Sequence, residues 1–255
     1  LEEVGSTRLL HLVEIMLESN YQVTVIRGGC RFTDSQHPLG FRLITLKVEY
    51  DQKMGILKRF SSFISFIFKA LVKSLGLKGI DLCYASSTPL TIGIPAMMLK
   101  WIKRIPFVFE VRDLWPDVPI QLRGIKNSYL IRLAYFLESI IYKSARHIVV
   151  ASPDMKDNLL KKGIKPNKIT VITNFSNPVF YEQSPSIPKD KVNIIYFGAI
   201  GLANGLDSFF QFAEYALVNR PNYCFFILGE GALKTKFHTL YKKLDNLKWM
   251  DSIPK

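Results

Sequence analysis

Two periods alternate along this chain. Leu9, Leu10, Leu12, Val13, Met16 and Leu17 follow the 3.6-residue helical period behind Ser6-Thr7, which can cap a helix. Residues 21–26 are short and β-branched and run into Gly28-Gly29, which predicts a strand. The spacing predicts another strand over 41–48, a helix over 56–75, a strand over 80–84, a helix over 89–102 and a strand over 106–111. Residues 127–144 read as a strong helix, with Leu130, Leu133, Ala134, Leu137, Ile140 and Ile141 on one face. A short apolar strand follows over 147–150. Ser152-Pro153-Asp154 then supplies an N-cap, an N1 proline and a dipole-favoured acid for the next helix. A strand over 168–172 closes the series. Apolar strands between helices predict a parallel sheet covered on both faces.

The pattern breaks over 175–191, a stretch with three prolines and no period. It then restarts: a strand over 192–197, a helix over 206–219, a strand over 223–228, a helix to about 244 and a strand near 247–250. This predicts an α/β domain over residues 1–176, a linker over 177–190 and the start of a second α/β domain over 191–255. The chain opens at Leu1 within a loop entering a helix and stops just after a strand-like run. Both ends read as cut, so the expectation is a piece of a longer protein with the first strand of domain one missing.

Composition narrows the class. The 48% hydrophobic and 22% charged residues are ordinary globular usage and exclude a disordered chain. A net charge of +13 points to an anionic partner. Cys30, Cys83 and Cys224 form no CxxC pair, which argues for a reducing compartment and against zinc. His11, His37, His147 and His238 have no ligand spacing, and no metal site is expected.

In open parallel sheets ligands bind beyond the carboxyl ends of the strands, so residues just after strands come first. Gly5-Ser6-Thr7 lies at a helix N-terminus, suited to an anion or to a simple cap. Gly198, Gly201, Gly229, Glu230 and Gly231 follow strands of the second domain, where glycine allows a diphosphate near the backbone or serves an ordinary turn. The most informative run is FEVRDLWPD over 109–117, where a buried strand leads into Glu110, Arg112, Asp113 and Trp115. Arginine suits phosphate, an acid orients a sugar hydroxyl and tryptophan offers a flat apolar surface. The competing reading is an ion pair of Arg112 with Glu110 or Asp113 that closes a loop, with Trp115 in the core. Trp101 and Trp249 are assigned to packing.

The run FEVRDLWPD, a long helix, ARHIVVASPDMKDNL and KITVITN together resemble the N-terminal domain of family 4 glycosyltransferases. IIYFGAIGLANGLDSFFQFA and FFILGEGALKTKF resemble the start of that family's donor-binding domain. The chain is more narrowly similar to bacterial transferases that build O-antigen, capsule or colanic-acid polysaccharide, including the N-acetylfucosamine transferase type. The resemblance implies an α/β GT-B fold of two Rossmann-like domains, acceptor on the first and nucleotide-sugar donor on the second. It implies transfer with retention, no cofactor and no metal. By position it makes Gly5, Ser6, Asn174, Gly198, Gly201, Gly229, Glu230 and Gly231 donor- or phosphate-side residues. Arg112 and Asp113 take the catalytic position, and Glu110 and Trp115 the acceptor side. Two departures stand out. Gly-Arg and Lys-Gly of many relatives are Gly198-Ala199 and Asn204-Gly205 here. The family's paired glutamates are expected beyond Lys255, so the chain alone is expected to be inactive.

Residues 56–73 are phenylalanine-rich, cationic and acid-free. They are too interrupted by charge to span a bilayer, but suit a helix lying on an anionic membrane, touching it through Lys58, Arg59, Phe60, Phe63, Lys69 and Lys73. The resemblance implies a lipid-linked saccharide acceptor and a cytoplasmic enzyme peripheral to the inner face of the plasma membrane. Two rivals share the composition. A nonhydrolysing sugar-nucleotide epimerase of the same fold would carry more acids and histidines in its cleft. A basic nucleic-acid binder would interleave exposed aromatics with cations, whereas the phenylalanines here mostly follow buried periods, so no nucleic-acid partner is expected.

Overall fold

The computed structural model describes residues 7–49, 54, 56–87, 89–121, 126–174 and 191–250, with backbone only at Thr7, Ile56, Leu57, Arg59 and Ala203. The chain divides into two compact units, Leu1–Phe175 and Ser176–Lys255.

In the first unit, β1 (Thr24–Gly29), β2 (Thr33–Gln36) and β3 (Arg42–Lys47) form one sheet in the order β1-β3-β2. β1 runs parallel to β3, while β2 pairs antiparallel to it. β3 is apolar almost throughout because both of its faces are covered. Phe41 and Leu43 meet Leu10 and Val13 of α1 (Thr7–Glu18). Ile44, Leu46 and Val48 meet Phe66 and Ala70 of α2 (Ile56–Gly76). β4 (Cys83–Ser86), β5 (Phe107–Val111), β6 (His147–Val150) and β7 (Ile169–Val171) form a second, wholly parallel sheet in sequence order. Its helices are α3 (Gly93–Lys103), the short α4 (Asp117–Gln121), α5 (Ser128–Ser144) and α6 (Pro153–Lys161). Asn127 caps α5 by accepting from the backbone of Tyr129 and Leu130, and Ser152 caps α6 by accepting from Met155.

Four local expectations change, one being that β4 begins at Cys83 and not at residue 80. β2 has the sequence TDSQ and is exposed at every position, so it carries no apolar signal and its place comes from pairing with β3. β1 lies three residues later than the pattern suggested. Gly28 and Gly29 do not stop it but pair with Leu46 and Lys47, and a Cβ on Gly29 would stand 2.6 Å from the Thr45 methyl. Trp101 is exposed rather than packed.

The second unit is a parallel sheet in the order β10-β9-β8, built from β8 (Val192–Phe197), β9 (Tyr223–Leu228) and β10 (Leu247–Met250). Its helices are α7 (Asp207–Asn219) and α8 (Lys234–Tyr241). Phe210 of α7 anchors the core, stacked on Phe237 at 4.6 Å, Tyr241 at 4.7 Å and Trp249 at 5.7 Å. Aromatic area of this kind compensates for a small core.

Candidate active site at the ends of the parallel strands

The strands of the second sheet run parallel, so their carboxyl ends share one edge, where α/β folds place ligands. There the side chain of Arg8, from the first turn of α1, is buried and makes four hydrogen bonds to the described residues. Its Nε donates to Glu110 Oε1 at 2.7 Å; its two amino groups reach the carbonyls of Ile172 and Thr173, both at 2.7 Å, and Asn174 Oδ1 at 3.4 Å. Ser86 Oγ, at the end of β4, donates to the other Glu110 oxygen at 2.5 Å. Three strand ends and a helix start are thus tied together. A cation in the first turn of a helix opposes the macrodipole, and the buried carboxylate compensates for that here. Burial, then the charge on Glu110, push the phenol of Tyr84 above its ordinary range.

Beyond this network the chain turns outward. Ser87 donates its N–H to the Glu110 carbonyl at 2.9 Å, and its hydroxyl accepts the Arg112 N–H at 3.0 Å, which fixes the backbone leaving β5. Arg112 is half-buried and Asp113 exposed. Trp115, joined to Pro116 by a cis peptide, packs against the core. Asp117 then anchors the turn: it accepts from Tyr135 at 2.7 Å and from Lys162 at 2.8 Å, and Lys162 also reaches the buried Glu138 at 2.7 Å. Burial pushes the Asp117 carboxyl up, but the hydrogen bonds from Lys162 and Tyr135 outweigh it and hold the group below its usual range. At Glu138 burial wins and the carboxyl is raised.

The structure therefore brings Glu110, Arg112 and Asn174 to one edge, with Asp113 next in the chain. The sequence set Glu110 on the acceptor side, and its burial corrects that. It is fully buried, its oxygens taken by Arg8 and Ser86, and it positions its neighbours. Arg8 was not singled out by the sequence reading. The signal was an arginine in a helix's first turn, where a cation requires a partner. Gly5, Ser6 and the linker 177–190 lie outside the described residues.

In the second unit the loops after β8 and β9 pack backbone against backbone. Gly198 N–H donates to Leu228 O at 3.0 Å, and Ile200 N–H to Glu230 O at 2.9 Å. A Cβ on Gly229 would lie 1.8 Å from Gly198 O, and one on Gly231 would lie 2.3 Å from Ile200 O. Glycine at these two positions is accounted for by loop packing, whatever ligand the loops meet. Gly201 has ordinary extended backbone, and the exposed Glu230 pairs with Lys234 at 2.5 Å.

Along α2, Lys58 and Phe60 are exposed and Phe63 is half-buried. Lys69 donates to the Lys47 carbonyl at 2.6 Å, and Lys73 pairs with Asp34 at 2.9 Å, so both of these cations are committed within the unit. The side chain of Arg59 lies outside the description.

Two α/β units built on parallel strands have the architecture of the GT-B class, and solved structures bear this out. A sucrose-phosphate synthase from Thermosynechococcus elongatus superposes with a TM-score of 0.69 at 13% identity, over 98% of this chain and 65% of that one. HepE of Anabaena, in complex with UDP-glucose, gives 0.63 at 13% identity, over 98% and 66%. A UDP-GlcNAc 2-epimerase from Neisseria meningitidis, bound to UDP-GlcNAc, gives 0.50 at 15% identity, over 83% and 58%. The chain thus spans less than two thirds of these neighbours' lengths. A comparison with curated proteins returns no match. The model of the glycosyl transferase 4-like domain matches residues 5–174, and the chain belongs to that family.

Proposed function

We propose that the protein moves a sugar from a nucleotide-sugar donor, UDP-linked, to a lipid-linked saccharide in the assembly of a bacterial surface polysaccharide of the O-antigen or capsule kind, with retention. Residues 1–176 form the acceptor side, 177–190 the linker and 191–255 the beginning of the donor side. The observation that carries this reading is the Arg8–Glu110–Asn174 network, which presents Arg112 and Asp113 from the end of β5 inside the family-matched region. In the reaction, the bond between the anomeric carbon and the diphosphate oxygen breaks and the acceptor oxygen bonds to that carbon. The acceptor's proton leaves with the diphosphate. The Asp113 carboxylate offsets positive charge developing on the sugar ring, and Arg112 steadies the anionic partner. The chemistry calls for neither a metal nor a cofactor.

Supporting a UDP-sugar donor, the Anabaena neighbour binds UDP-glucose. The acceptor's lipid anchor fits an enzyme on the cytoplasmic, anionic face of the plasma membrane, with α2 as the contact. No helix among the described residues is long and apolar enough to cross a membrane. A second reading, epimerisation of the nucleotide sugar, is favoured only by the likeness to the UDP-GlcNAc 2-epimerase. One assay separates them. Protein expressed from its complete reading frame is incubated with labelled UDP-sugars and a lipid-linked saccharide. Label in the lipid fraction supports transfer. An epimerised UDP-sugar with unlabelled lipid supports the second reading and overturns the first.

A further inference from the structure

α5 carries more apolar surface than its core uses. Leu137, Ile140 and Ile141 pack on the second sheet, yet Tyr129 is 78% exposed, Leu130 56%, Leu133 61% and Phe136 63%. These four fall at i, i+1, i+4 and i+7 and form one stripe along the N-terminal half of the helix. Its cations, Lys126 and Arg132, are exposed, and no acid occurs from Lys126 to Leu137.

The stripe has a counterpart. On α2, Phe60, Ile64, Phe68 and Val72 repeat every fourth residue and are all exposed, in a stretch with no acid from Lys53 to Ile80. α3 packs against both helices and joins them into one layer. Its Lys103 donates to the Leu75 carbonyl at the end of α2 at 3.0 Å, and its Lys100 to the Ser144 carbonyl at the end of α5 at 2.6 Å. The three helices therefore end together. Trp101 and Ile102 are exposed beside those ends.

We infer that the N-terminal stripe of α5 is a second membrane-contact element, which enters an anionic lipid surface together with α2. This rests on the proposed membrane reading of α2 and extends it to a two-helix footprint. Charge selects the occupant. Large apolar and aromatic side chains set among lysine and arginine, in segments whose own sequence holds no acid, match the interface of an anionic bilayer, where rings and aliphatic chains reach the acyl boundary and cations meet headgroups. A nucleic acid would gain nothing from Leu130, Leu133 or Val72. Each bilayer contact alone is weak and reversible, and two on one rigid layer add their free energies.

The test is sedimentation of the protein from its complete reading frame with vesicles of phosphatidylcholine mixed with phosphatidylglycerol. Wild type is expected to bind these, to release as salt rises and to ignore pure phosphatidylcholine. Leu133→Glu/Phe136→Glu on α5 should weaken binding by at least about tenfold, and Leu133→Ala/Phe136→Ala should act in the same direction with an unchanged melting temperature. Loss of binding in a Phe60→Glu/Phe68→Glu protein, with the α5 variants binding normally, would overturn the α5 proposal and leave α2 as the contact. Failure of wild type to bind any vesicle would overturn both. A wild-type dimer made monomeric by the α5 variants, with vesicle binding unchanged, would make the stripe a protein interface and overturn the proposal. Sedimentation does not depend on sugar transfer, so failure of the transferase reading would be seen separately.

Discussion

The guanidinium of Arg8 meets the carboxylate of Glu110 at 2.7 Å across 102 residues of sequence, with both side chains buried. This contact makes the start of α1 and the end of β5 one place. Through Ile172, Thr173 and Asn174 it also holds the end of β7, and through Ser87 the turn carrying Arg112 and Asp113 is fixed to the same frame. A planar guanidinium can serve this set of acceptors, whereas an ammonium group cannot reach them together.

Removing the cation should therefore be costly. Arg8→Met leaves the Glu110 charge buried without its partner and should lower stability in urea denaturation by about 3–5 kcal/mol. Arg8→Lys should recover only part of this. A Met variant within about 0.5 kcal/mol of wild type would show that the contact does not organise the edge.

Asp113 should show in the rate. It is exposed, and Asp113→Asn removes its charge while keeping its size. If its charge acts on the reacting sugar, kcat for transfer should fall by about 10²–10³-fold, the scale of one preorganised electrostatic contact. A well-folded variant with a normal rate would remove Asp113 from the chemistry.

The glycines of the second unit are unequal. Gly229→Ala places a methyl 1.8 Å from Gly198 O at a φ of +154°, and should destabilise that unit by at least about 2 kcal/mol through overpacking and strain. Gly201→Ala meets, among the described residues, Asn204 Oδ1 at 3.4 Å and should cost under about 1 kcal/mol. Thermal unfolding of the two variants side by side checks the contrast.

The Asp117–Lys162–Glu138 cluster carries opposed pH dependences. Glu138 is raised by burial, so the folded state holds its proton more tightly than the unfolded chain. Its contribution is complete below 4.5 and is lost as pH rises through the elevated folded value. Asp117 is held low, so its contribution is present above 3.8 and is lost on acidification through the depressed folded value. Glu138→Gln removes the first dependence. The melting-temperature difference, wild type minus variant, should decrease as pH is raised from about 4 to 7. A difference that grows over this range would reverse the assignment.

Much of the architecture was legible from local pattern. The strands His147–Val150, Val192–Phe197 and Tyr223–Leu228 lie where short apolar runs predicted them, and Asn127 and Ser152 begin α5 and α6 as their capping chemistry requires. These signals are local: period, turn residues and caps act between neighbours in sequence. Polar β2 was invisible because only its pairing with β3 makes it a strand. Arg8 could be recognised as a cation in need of a partner, but not as the partner of Glu110, because nothing local encodes a contact 102 residues away. The periodicity of α5 grouped Leu130 and Leu133 with Leu137, Ile140 and Ile141. Packing on the sheet buried only the last part of that face and left the first on the surface, since burial depends on where neighbouring elements lie and not on the helix's own sequence.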